Sequence, residues 1–72
     1  MFVFRVITND QRLNIIKEKI NNESEAELIA SEESLKKIDR IYEVQRKEEN
    51  ADDEDYSTIY WFQHGIKRAD SI

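Results

Sequence analysis

Over residues 2–7, "FVFRVI", Phe2, Phe4 and Val6 fall on one side of an extended chain and Val3, Arg5 and Ile7 on the other. Both sides are largely apolar, which predicts a strand that is central in its sheet or covered on both faces. The period then lengthens. Leu13, Ile16 and Ile20 form one helical stripe with Ile15 at its margin. Thr8 and Gln11 have capping-box spacing, with Asn9 as an alternative cap, and Asp10 sits where a first turn favours negative charge. Asn21 and Asn22 suit a left-handed helix end. The pattern predicts a helix over 8–22.

The next stretch admits two readings. Ser24 and Glu27 again have capping-box spacing, and Leu28, Leu35, Ile38 and Tyr42 trace a helical stripe with Ile41 beside it. One long helix from about 25 to about 47 satisfies that stripe. Alternatively "EESLKKID" is a short helix and "RIYEVQRK" a strand. The second reading is favoured, because Tyr42 and Val44 cannot share a helical stripe but do share a strand face. It also supplies a hairpin partner for the strand that comes after the acidic run. "EENADDED" is a solvated connection whose adjacent carboxylates cannot be buried cheaply. "YSTIYWFQHG" is a strand with Tyr56, Thr58, Tyr60 and Phe62 on one face and Ser57, Ile59 and Trp61 on the other, ended by Gly65. The expected fold is one small α+β domain over residues 1–66, β-α-α-β-β, its C-terminal hairpin joined by an acidic loop. Residues 67–72 form a short flexible tail. The alternative is β-α-α-β with one long second helix.

Composition narrows the chemistry. The 72 residues contain no cysteine, one histidine (His64) and one glycine (Gly65). Disulfides, thiolate metal sites and glycine-rich phosphate loops are excluded. No apolar run approaches the roughly 20 residues that span a bilayer, and the first residues lack the basic lead-in of a secretory signal, so the cytoplasm is the expected compartment. The net charge of −5 is uneven. Residues 23–55 hold 13 acids and 5 bases, residues 1–22 carry +2 and residues 56–72 carry +1. A negative middle disfavours direct nucleic-acid binding and anionic membranes and suits a basic protein partner.

An acidic calcium loop needs glycine at its sixth position and glutamate at its twelfth. Counted from Asp53 those positions are Thr58 and His64, and counted from Asn50 they are Asp55 and Trp61. No nucleophile lies near His64 in a recognisable elbow, and a chain this small offers little room for the rigid pocket that tunes a catalytic carboxylate. Neither an enzyme nor a cofactor is expected. Tyr56, Tyr60, Trp61 and Phe62 could stack bases, but they come directly after the most acidic segment of the chain, whereas such platforms sit in basic grooves. A protein-binding surface remains: Ile59 and Trp61 as an apolar anchor, bordered by Glu48, Glu49, Asp52, Asp53, Glu54 and Asp55 as an electrostatic guide. The expected function is a small acidic, non-catalytic regulator or inhibitor of another protein. In a sharper form its carboxylates imitate DNA and occupy a basic cleft of a nucleic-acid-binding protein. The alternative is a structural or assembly subunit that forms a homo-oligomer, such as a homodimer, through its sheet.

Overall fold

The computed structural model describes residues 1–8 and 14–69. Among these residues five strands form one antiparallel sheet: β1 (Phe2–Thr8), β2 (Asn14–Ile20), β3 (Tyr42–Glu48), β4 (Ser57–Gln63) and β5 (Ile66–Arg68). Among the described residues one α-helix, α1 (Glu23–Lys36), links β2 to β3, and one 3-10 turn, Asp53–Asp55, lies between β3 and β4. The strand order is β2-β1-β3-β4-β5. This is an α+β fold, with the helix packed across one face of the sheet against β1, β3 and β4.

The expected strand at 2–7 is β1. It lies inside the sheet, paired with β2 and β3. That position accounts for its two-sided apolar pattern, since Val6 packs under the helix and Ile7, outside that core, is also buried. The hairpin of β3 and β4 across the acidic connection is also present. The long helix over 25–47 is not.

The helix expected over 8–22 is not formed where the chain is described; Asn9, Asp10, Gln11 and Leu13 lie outside the described residues. Asn14–Ile20 is instead an edge strand, with Ile15 opposite Ile7 and Ile20 opposite Phe4. Pairing it with β1 satisfies backbone groups on that side of a strand whose side chains are buried, and β-branched isoleucines suit the pleat. Two register shifts break the alternation, and Lys19 takes a left-handed conformation (φ 59°) within the second half of the strand. An edge broken in this way pairs poorly with foreign strands.

The helix between β2 and β3 starts earlier and ends sooner than the expected 32–39. Asn22 begins it rather than ending another: its side chain accepts a hydrogen bond from the Glu25 N–H at 3.2 Å. The stripe of Leu28, Leu35 and Ile38 faces outward, and Ala26, Ala30 and Ser34 face the sheet. Small residues let the helix sit close to a sheet that supplies the bulk, namely Phe4, Tyr42, Tyr60 and Phe62.

After β4 the chain turns again. His64 and Gly65 both have positive φ (56° and 74°), as a two-residue type I′ hairpin turn requires. Gly65 donates its N–H to the Ser34 hydroxyl at 2.8 Å, and a Cβ there would fall 2.6 Å from the end of the Leu35 side chain. The turn thus rests on the end of the helix, and the residues after it, read as tail from 67, contribute β5.

Candidate interaction surface

One face of the sheet carries the helix. The other carries no helix among the described residues. Strand pairing lays Ile15, Ile7, Glu43, Trp61 and Arg68 in a row across all five strands of this second face. Arg5, Gln45 and Thr58 form the next row, toward the acidic connection. Trp61 is partly exposed there and, with Ile41, Glu43 and Thr58, lines an open depression of about 340 Å³. Thr58 donates to the Glu43 carboxylate at 2.5 Å and accepts from the Gln45 amide at 3.1 Å, which fixes the polar side of the depression.

Ile59 does not accompany Trp61. Strict alternation places them together, but the β3–β4 register shifts so that Val44 faces Tyr60 while Gln45 faces Thr58. Ile59 is the extra residue of this bulge and packs against the core under the helix. The bulge also moves Thr58 to the face opposite Tyr60 and Phe62. The sequence holds one cue to it: Ser57 and Thr58 are two small polar residues in a row, where an unbroken strand would have buried Thr58.

The acidic residues Glu48, Glu49, Asp52, Asp53, Glu54 and Asp55 are all exposed, beside the start of β4. Trp61 lies four positions along β4 from Ser57, about 13 Å, so the carboxylates do not border the tryptophan directly. The loop has structure of its own. The Lys47 ammonium donates to the Ala51 carbonyl at 2.6 Å and lies 3.8 Å from the Asp53 carboxylate. The Glu49 N–H donates to the Met1 carbonyl at 2.9 Å, and the terminal ammonium lies 3.5 Å from Glu48.

Between loop and depression lies a cluster absent from the sequence-based site. The Arg5 guanidinium stacks over the Tyr56 ring at 4.0 Å and donates to the Gln45 side chain at 2.7 Å. The Lys47 ammonium approaches the same ring at 5.5 Å. Burial pushes the Tyr56 phenol above its ordinary pKa, Arg5 opposes that shift, and Asp53 and Glu18 add to it. This face therefore presents, from one end to the other, exposed carboxylates, a cation–aromatic stack and an apolar depression.

His64 is exposed in the β4–β5 turn. Among the described residues no group of three or more His, Asp or Glu is placed to hold a metal ion, and no helix is long and apolar enough to cross a membrane. No protein-family model matches the chain, and no curated protein or solved structure matches it.

Proposed function

We propose that this chain is a small non-catalytic regulator that binds another protein on the helix-free face of its sheet. The observation that carries the proposal is the partly exposed Trp61 in an open depression on that face. Tryptophan is among the side chains most enriched at binding hot spots. The separation of Trp61 from the acidic loop is no obstacle. A standard interface covers about 800 Å² per partner, roughly 28 Å across, so one partner spans both. In that arrangement Trp61 anchors and the carboxylates of residues 48–55 steer a basic rim of the partner toward it. Ile59 leaves the anchor and supports it from the core side of β4.

Trp61→Ala tests this reading. The expected result is an unchanged far-UV circular dichroism spectrum and at least a hundredfold weaker capture of the cognate partner. The partner is identified by cross-linking from a photoreactive residue at Thr58. Unfolding of the variant, or undiminished capture by a folded one, would remove the anchor.

A further inference from the structure

The depression beside Trp61 has one charged wall. It is lined by Ile41, Glu43, Thr58 and Trp61, and Glu43 is the one charged group among them. A chain of hydrogen bonds across three strands holds that carboxylate in place. Arg5 donates to the Gln45 amide oxygen at 2.7 Å, the Gln45 amide nitrogen donates to the Thr58 hydroxyl at 3.1 Å, and that hydroxyl donates to Glu43 at 2.5 Å. Every donor points toward Glu43, the final acceptor. Threonine has a single hydroxyl proton, and Glu43 already receives it. No cation pairs with Glu43 among the described residues. Arg5 is committed to Gln45 and to the Tyr56 ring. Arg68 stands on the far side of Trp61, two strand spacings from Glu43, about 10 Å.

A partner that covers the depression strips water from this carboxylate. An apolar insert would leave it buried and unpaired, which is strongly unfavourable for a charge. The insert must bring a cation and also suit an indole wall. Arginine meets both demands. Its planar guanidinium stacks on the ring and forks onto a carboxylate through two parallel hydrogen bonds, and Glu43 keeps lone pairs for them beyond the one that Thr58 occupies. Lysine supplies a point charge without the planar stack. We propose that the depression takes an arginine side chain of the partner, stacked on Trp61 and paired with Glu43. The proposal rests on the reading of the helix-free face as the partner-binding surface and names the side chain inserted there.

The chain has one tryptophan, so tryptophan fluorescence reports on this depression alone. The full chain is titrated at constant ionic strength with Nα-acetyl-arginine amide and with its citrulline analogue, which keeps the shape and loses the charge. The arginine probe is expected to bind with a millimolar dissociation constant and the citrulline probe at least fivefold more weakly. Glu43→Gln is expected to bring the arginine probe level with citrulline. Glu54→Gln makes the same charge change in the exposed acidic loop and is expected to leave arginine binding within twofold of the parent. Glutamine at position 43 still accepts the Thr58 proton, so an unchanged circular dichroism spectrum is expected; were the variant to unfold, the two probes on the parent chain decide. Equal binding of the two probes, equal losses in the two variants, or no binding of either probe would overturn the arginine site. None of these results touches the capture experiment with Trp61→Ala, which judges the anchor by itself.

Discussion

The Tyr60 and Ser34 hydroxyls fasten the helix to the sheet. Tyr60 donates to Glu23 at 3.1 Å, with Glu27 at 3.3 Å as a second acceptor, and the Lys67 ammonium sits over its ring at 4.1 Å and 3.5 Å from the Glu27 carboxylate. Burial first, then hydrogen bonds and charge from Glu23 and Glu27, raise the Tyr60 pKa far above its ordinary value of 10.0. The unfolded chain therefore releases this proton near pH 10 while the folded chain keeps it. Stability from this group is complete below pH 10 and declines as pH rises above it. Tyr60→Phe is expected to lose about 1–2 kcal/mol at neutral pH and to flatten the decline above pH 10, both measured by urea unfolding across a pH series. A decline of unchanged slope in the variant would assign the alkaline sensitivity elsewhere.

At the scale of elements, the helix depends on its cap. A helix of 14 residues is marginal in isolation, and its first turn carries Glu23 and Glu25, which the macrodipole favours. Asn22→Ala removes the hydrogen bond to the Glu25 N–H and is expected to cost about 1 kcal/mol, read as a lower urea midpoint with unchanged slope. Asn22→Ser is expected to retain most of that stability. The bulges act at the same scale. One residue too many in β4 separates Ile59 from Trp61, and the irregular register of β2 separates Ile15 from Lys17, which lie opposite Ile7 and Val6 on different faces of the sheet.

At the scale of the whole molecule, the charge is divided by surface. The helix and the acidic loop hold most of the carboxylates, whereas Arg5, Lys47 and Arg68 belong to the helix-free face. Replacing Asp52, Asp53, Glu54 and Asp55 by their amides is expected to slow association with the sheet-face partner about tenfold at low salt and to remove most of its salt dependence. Dissociation should change little, and stability should stay within about 0.5 kcal/mol, because these side chains are exposed. Stopped-flow association at several ionic strengths measures the first effect. A faster dissociation with an unaltered on-rate would show that the carboxylates hold the partner rather than guide it.

Alternation by itself determined β1, β3 and β4, because Phe4 with Val6, Tyr42 with Val44, and Tyr60 with Phe62 each need a shared buried face and only an extended chain provides it. Run length and charge likewise marked the solvated turn between β3 and β4. Three features were left to the tertiary structure. Residues 14–20 carry isoleucines that satisfy helical and strand spacing alike, and the demand of β1 for a second partner decided between them. The helix could bury alanines or leucines, and the bulk already supplied by the sheet chose the alanines. The facing of Ile59 and Trp61 turned on one bulge, a register property of two strands together that no periodicity within one strand can express.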